Sequence, residues 1–281
     1  MSILWLLCAM SSAASGGNIK ALFIYISVAM VALCPVGCGF NGGDQAFEEI
    51  VEQIYQVDPT ATLAISNADG SVRVYGADVT EISVKAVKKA LSAERLRKID
   101  INISARHDAV SIETHYPPKK TWGFGDRSGT VDYILIVPQT CTIAKLDLTN
   151  GEVLVEGLRG PNVQAHLENG RIFSHNCFGN THLTAINGGI DVYYDWWEEE
   201  RKFSIDAAII NGGVRAFIPI DASFHLIAET EEGHIANDFA EKEQRHAGGV
   251  TRIDQIVGTK AEAEVRLHAK SGNIKVGETN M

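Results

Sequence analysis

The sequence is short of the features that mark several classes of protein. Acidic residues outnumber basic ones by 35 to 25, the formal net charge is −10, and no basic patch is present. Nucleic acid is therefore excluded as a partner, because its recognition requires clustered Lys and Arg side chains. Proline is scarce at 7 of 281 residues, whereas glycine is abundant at 26. This balance favours a folded chain with many turns over a disordered one.

A long apolar run is also missing. The apolar stretch at residues 21–33 has 13 residues, whereas a membrane-spanning helix needs about 20, so the stretch is typical of a signal peptide. The following Val36-Gly37-Cys38 resembles a bacterial lipobox, although Pro35 stands where that motif usually has Leu. The resemblance implies that a lipid on Cys38 anchors the protein to a membrane. An ordinary secreted protein and an uncleaved anchor are the alternatives.

The leader predicts an extracytoplasmic, membrane-anchored location, at the outer membrane or the cell surface. The chain also divides into segments of different composition. We interpret residues 1–38 as a leader and residues 39–46 as a Gly-rich tether. An N-terminal β region with the first repeat follows at 47–138, and a β-strand-repeat region continuous with it at 139–281. Within the tether and the β regions, only Cys141 and Cys177 could form a disulfide. An oxidising compartment would permit one, but two separate buried thiols are the simpler expectation.

One dipeptide recurs four times between short alternating apolar runs. The four copies are Asn150-Gly151, Asn169-Gly170, Asn187-Gly188 and Asn211-Gly212. Apolar residues at alternate positions indicate β-strands, because successive side chains of a strand point to opposite faces. Asn and Gly tolerate the left-handed backbone of a tight turn. We therefore interpret these residues as structural turns, with a two-residue loop that keeps both flanking runs on one face.

The spacing of the copies predicts the fold. From Gly151 the key glycines follow at steps of 19, 18, 24, 21 and 39 residues, the last being about two periods. A fixed period near 20 residues is typical of repeat architectures. The sequence therefore predicts an all-β, β-solenoid-like stack of two-strand repeats, with a β-sandwich of hairpin meanders as the alternative. Degenerate copies extend the series at Asp69-Gly70, Glu232-Gly233 and Ser271-Gly272.

Two insertions interrupt the pattern and carry large apolar side chains on expected loops. Such side chains either fold back over the sheet or form a contact surface. The candidate ligand contacts are Trp122 and Phe124 in the first insertion, and Tyr193, Tyr194, Trp196 and Trp197 in the second. Any function is expected in these insertions, above all in Tyr193–Glu200, and not in the repeat.

No catalytic or metal-binding constellation is evident. His166, His175 and His182 lie in adjacent repeats near Cys177, but alternation puts neighbouring candidates on opposite faces, and no compact pair of ligands occurs. The carboxylates of Asp191, Asp195 and Glu198–Glu200 would suit glycoside chemistry. Three consecutive glutamates are, however, more typical of a solvated loop. We expect no metal, no cofactor and no enzymatic activity.

The order of the motifs resembles the bacterial putative-adhesin family of β-strand-repeat domains of unknown function. The resemblance covers roughly residues 50–278, and its motifs are Leu63–Gly76, the strand with Lys85, the paired strands up to Thr114, Val131–Pro138, the Asn-Gly repeats and Ala269–Val276. It implies an envelope location, a β-solenoid-like fold and a non-enzymatic domain, and it supplies no catalytic residues. Fold alone does not fix function.

The expected function is that of a cell-envelope lipoprotein with a structural or adhesive β-repeat domain. A carbohydrate-binding or carbohydrate-active β-helix is one alternative, and a regulatory partner protein in envelope stress is another. The expected partners are a membrane, through the lipid anchor, and a surface glycan or an envelope protein.

Overall fold

The computed structural model describes residues 46–118, 128–239, 245–247 and 249–279. Cys38, Trp122 and Phe124 lie outside these residues, as do the leader and the tether up to residue 45. Within the described ranges, no helix has the length and apolar character that crossing a membrane requires. The elements are β1 (Phe47–Gln56), β2 (Thr62–Ala77), β3 (Glu81–Ala90), α1 (Ala93–Arg97), β4 (Asp100–Ala105), β5 (Ala109–His115), β6 (Thr130–Pro138), β7 (Thr142–Glu156), β8 (Asn162–His175), β9 (Asn180–Tyr193), β10 (Ser204–Pro219), β11 (Phe224–Glu232), β12 (Ile235–Asn237), β13 (Arg245–Ala247), β14 (Val250–Val257), β15 (Ala263–Ser271) and β16 (Ile274–Thr279).

The Asn-Gly pairs lie inside long strands, and the expected two-residue hairpin loop is not found. Strand β7 runs through Asn150-Gly151 without a break, and Leu148 and Val153 on either side are both buried. In a straight strand, residues five positions apart point to opposite faces. Because both side chains are nevertheless buried, the chain must turn a corner between them. Each long strand thus has two arms that face one interior.

The arms stack into two walls. We call the arms before the corner the front wall and the arms after it the back wall; in β7 these are residues 142–149 and 151–156. Strands β7, β8, β9 and β10 pair in parallel, and the register aligns Asn150, Asn169, Asn187 and Asn211. The all-β class is confirmed. The parallel pairing is that of stacked coils, whereas the hairpins of a meander would pair antiparallel.

The interior between the walls is filled by the alternating apolar residues of both arms. Leu146, Leu167, Leu183 and Ile205 of successive coils are completely buried. Each coil covers the apolar face of the next, so a single coil could not fold alone.

The two ends of the stack depart from the simple order of the chain. At the N-terminal end, β6 extends the back wall in parallel with β2, and β3 and β1 follow antiparallel. Residues 47–57, which suit either a helix or a strand by their pattern, therefore form a strand. In the front wall, β5 pairs with β2 and β4 pairs with β5.

At the C-terminal end, the last coil is inserted out of sequence. Strand β15 lies between β10 and β11, and β16 pairs with β10 and β12. The segment between β12 and β15 makes a hairpin excursion, because β13 and β14 pair antiparallel and β14 joins the far edge of β11. The repeat at Ser271-Gly272 thus precedes that at Glu232-Gly233 in the stack.

Candidate functional site

The Asn-Gly corners are held by a ladder of side-chain amides. Nδ2 of Asn211 donates to Oδ1 of Asn187 at 3.0 Å, Asn187 donates to Asn169 at 2.9 Å, and Asn169 donates to Asn150 at 3.0 Å. Asn150 then donates to Oδ1 of Asp69 at 2.8 Å. An amide both donates and accepts, which lets each Asn bond to the coils on either side. The ladder gives these residues a structural function.

The glycines that follow form a second column beside the ladder. Each has positive φ, between 127° and 138° at Gly151, Gly170, Gly188 and Gly212. A Cβ atom on Gly188 would lie 1.8 Å from the carbonyl oxygen of Gly170, and one on Gly212 would lie 2.0 Å from that of Gly188. Only a residue without a side chain lets the corners of neighbouring coils approach this closely.

The insertion after β9 places one of its candidate contacts in the core and a second, partly buried one against it. Tyr194 is fully buried, and its hydroxyl donates to the carbonyl oxygen of Cys177. The indole Nε1 of Trp197 donates to the carbonyl oxygen of Ser223 at 3.2 Å. Both rings pack against Phe203, at centroid distances of 5.9 and 5.0 Å. Tyr194 is therefore not a surface contact, and the partly buried ring of Trp197 folds back over the interior.

Tyr193 lies on the outer face of the back wall, in a stack of rings. Its ring is 4.8 Å from that of Phe217 on the next coil, with an interplanar angle of 9°. The ammonium of Lys275 lies 5.5 Å from the centroid of the Phe217 ring. Because the rings face each other along the stack, their edges point outward. A sugar stacks on a ring face, so this arrangement does not favour Tyr193 as a sugar platform.

Trp196 is the aromatic residue that the insertion leaves exposed, at 49 %. Its ring lies 5.7 Å from that of the buried Phe178 at an angle of 32°. The opposite face of the indole is thus open while the inner face rests on the core. We call the surface formed by Trp196 with His175, Asp195, Glu198 and Arg201 the Trp196 edge.

A network of hydrogen bonds holds the Trp196 edge in place. Asp195 accepts from Nδ2 of Asn176 at 2.9 Å, its carboxylate lies 2.7 Å from Nε2 of His175, and its backbone N–H donates to Oδ1 of Asn176 at 2.9 Å. The bonds from Asn176 and His175 lower the pKa of Asp195 below its ordinary value of 3.8. The ionised Asp195 therefore stabilises the fold at pH values above 3.8, and this contribution is lost as the pH falls through the lowered pKa.

Arg201 connects three loops that join successive long strands at the Trp196 edge. Arg201 donates from Nε to the carbonyl oxygen of Phe178 at 2.6 Å, and from Nη2 to that of Arg159 at 2.7 Å. Glu198 pairs with the guanidinium of Arg159 and lies 3.7 Å from Arg201. Glu198–Arg201 line a shallow, open depression. These contacts make the loop that carries Trp196 a fixed support.

Comparison with known proteins finds similarity in structure only. No family model matches the chain, and no curated protein is significantly similar to it. A structure described as a putative cell adhesion protein from Clostridium sporogenes has a TM-score of 0.47 and 16 % identity over 82 % of this chain and 100 % of its own. A putative adhesin from Bacteroides fragilis has a TM-score of 0.22 and 6 % identity over 82 % and 97 %. A putative lipid binding protein from Parabacteroides distasonis has a TM-score of 0.23 and 10 % identity over 82 % and 97 %.

The candidate metal ligands named from the sequence lie in different surroundings. His166 and His182 project from the front wall, where their Nδ1 atoms contact Thr184 and Asp206 at 2.9 and 3.3 Å. His175 belongs to the Trp196 edge, and Cys177 is buried. The described part of the chain holds no group of three His, Cys, Asp or Glu residues suited to a metal ion.

The two cysteines of the repeat region are separate buried thiols. Cys141 and Cys177 form no disulfide. Burial raises the pKa of Cys177, and it raises that of Cys141 to about 12. Because the thiolate is the reactive form, neither residue is suited to nucleophilic chemistry at neutral pH.

One charged cluster is not evident from the sequence alone. Asp191 lies on the outer side of the back wall but is only 1 % exposed. Arg215 donates to both carboxylate oxygens of Asp191, with Nε–Oδ1 and Nη2–Oδ2 distances of 2.6 and 2.7 Å. Nε of Arg171 lies 3.7 Å from Oδ2. The bond to Asp191 raises the pKa of Arg215. The alignment of the Asn-Gly pairs could have predicted this ion pair, because it puts Asp191 and Arg215 at the same position of adjacent coils.

Proposed function

We propose that the protein is a non-enzymatic cell-envelope protein with an adhesive role, and that it contacts a surface glycan through the Trp196 edge. The observation that carries the proposal is the half-exposed indole of Trp196 on a rigid support. An aromatic ring with one free face binds the apolar side of a sugar, and nearby carboxylates and guanidinium groups bind its hydroxyls. Asp195, Glu198 and Arg201 are the polar groups of this kind beside Trp196.

The state of the carboxylates supports a binding role over a catalytic one. Both oxygens of Asp191 are held by Arg215, and Glu198 is paired with Arg159. Asp195 has a lowered pKa, whereas the general acid of a glycosidase needs a raised one. Three of the carboxylates that suit glycoside chemistry by sequence, those of Asp191, Asp195 and Glu198, are thus held by structural contacts.

Replacing Trp196 tests the binding surface. We expect Trp196→Ala to weaken binding to envelope polysaccharide by about tenfold, since the loss of an aromatic contact costs on the order of 1.4 kcal/mol. The measurement is a titration against purified polysaccharides and a glycan array. Phe47→Ala is the matched control, because Phe47 is equally exposed at 48 % but lies on β1, six strands away from β9 in the sheet. Equal effects of the two substitutions, or turnover of any glycan, would contradict the proposal.

The proposed anchor rests on the lipobox-like sequence before the fold. We expect Cys38→Ala to move the protein from the membrane fraction to the soluble fraction, because the acyl chains would have no attachment site. Fractionation followed by immunoblotting measures the change, and Cys34→Ala serves as the neighbouring control. Membrane retention of Cys38→Ala at the level of the unsubstituted protein would rule out the lipid anchor.

A further inference from the structure

Strand β1 forms a long edge of the sheet. It pairs with β3 over all ten of its residues without a register shift, and no other described strand pairs with it. The N–H and C=O groups on the opposite side of an edge strand are a template for another strand. Proteins usually shield such an edge by a proline, a bulge, short length or charged side chains. Strand β1 has no proline, no bulge and ten residues, and its charged residues are Glu48, Glu49 and Glu52. The edge strands β4, β12 and β13 have only 6, 3 and 3 residues.

The outward side chains of β1 are arranged symmetrically about Glu52. Ile50 and Ile54 flank it at alternate positions, and they are 39 % and 62 % exposed. The carboxylate of Glu52 lies 2.7 Å from the ammonium of Lys85 on β3. The strand therefore presents an apolar residue, a compensated charge and a second apolar residue.

We propose that β1 pairs antiparallel with β1 of a second copy of the chain, with the two Glu52 residues opposite each other. This register puts Ile50 opposite Ile54 of the partner subunit, and the reverse, so that each exposed isoleucine meets another. A shift by two residues would put each isoleucine opposite a charged or amide side chain. A shift by one residue would place outward side chains opposite inward ones.

Charge is also accommodated in this register. Like charges directly opposite each other destabilise a strand pair. Here Lys85 lies beside Glu52 in each copy, so a row of Lys, Glu, Glu and Lys crosses the interface. Antiparallel pairing of identical strands has two-fold symmetry and closes on itself. The interface would thus produce a dimer and no filament, and it is independent of the Trp196 edge.

A cysteine substitution at the two-fold axis tests the register in the full-length chain. In antiparallel strands the Cα atoms of directly opposed residues are about 4.5–5.5 Å apart, which is within disulfide range. We expect Glu52→Cys to form a disulfide-linked dimer on mild oxidation. Gln56→Cys is the control, because its two copies would be separated by eight strand residues, about 27 Å. Peptide mass spectrometry locates the link, since the chain has other cysteines.

The association itself is measured by light scattering. We expect the unsubstituted protein to be a dimer at micromolar concentration, and Ile54→Lys to be a monomer with an unchanged unfolding midpoint. A monomeric unsubstituted protein would overturn the proposal. One cause of a monomer would be pairing of residues 1–45 of the same chain with β1. Hydrogen exchange would detect this pairing, because the β1 amides would then be protected in a monomer. Equal cross-linking of Glu52→Cys and Gln56→Cys would also overturn it.

Discussion

Gly212→Ala is expected to destabilise the protein by roughly 3–5 kcal/mol and to lower the unfolding midpoint by about 10 °C. The residue has a φ of 138°, and a new Cβ would lie 2.0 Å from the carbonyl oxygen of Gly188. That oxygen belongs to the backbone of the neighbouring coil, so it cannot move aside as a flexible side chain would. The substitution combines backbone strain with a clash between coils. Thermal and denaturant unfolding followed by circular dichroism measure the loss.

Gly213→Ala provides the adjacent control. Its φ is not in the left-handed region, and its new Cβ would lie 3.4 Å from the nearest atom, the carbonyl oxygen of Asn273. We expect a change within about 1 kcal/mol. If both substitutions cost the same, close contact between the corners does not limit which residue the repeat accepts.

Arg215→Met is expected to destabilise the protein by about 2–3 kcal/mol. It removes two short bonds from Asp191, whose side chain is 1 % exposed, and leaves only the 3.7 Å approach of Arg171. A buried carboxylate that has lost its main partner costs more than the ion pair itself contributes. Denaturant titration provides the free energy of unfolding.

Two further variants separate this effect from a general loss of surface charge. Lys275→Met removes a cation that contacts the Phe217 ring on the same wall, and we expect a loss below about 1 kcal/mol. The double substitution Asp191→Leu with Arg215→Met should recover part of the stability, because no buried carboxylate remains. An Arg215→Met variant as stable as Lys275→Met would show that Asp191 tolerates burial without its partner.

Local patterns in the sequence were sufficient for the arms and their stacking. Alternation at Ile205, Ala207 and Ile209 predicts a half-buried strand, and the recurring Asn-Gly pairs predict equivalent positions in successive coils. The shape of the corner is not determined in this way, because Asn-Gly suits a hairpin turn and a corner within a strand alike. The buried apolar residues on either side have the same spacing in both. What distinguishes the two is which strand lies alongside, and that depends on tertiary pairing.

The candidate contacts show the same limit. Tyr193, Tyr194, Trp196 and Trp197 are adjacent in the chain, yet one lies on the back wall, two close the core and one is exposed. Their positions depend on the space left by Phe178 and Phe224, which come from other coils, and by Phe203 at the end of the same connection. Asp191 is partly predictable once the register is known, since Arg215 then falls beside it. Its burial is not predictable from the local sequence, because the covering guanidinium of Arg215 comes from the next coil.

The insertion of β15 between β10 and β11 determines the order in which the stack can be completed. Strands β7 to β10 can assemble one coil at a time as the chain emerges from a ribosome or a translocation channel, since each new coil adds to an existing end. Strand β11 cannot add to the edge of β10 in this way, because β15 lies between them. Strands β11 to β14 therefore join the stack only after β15 is available. Strand β15 therefore joins two parts of the sheet that precede it in the chain, and a product that stops before β15 would expose an open sheet edge on each of them.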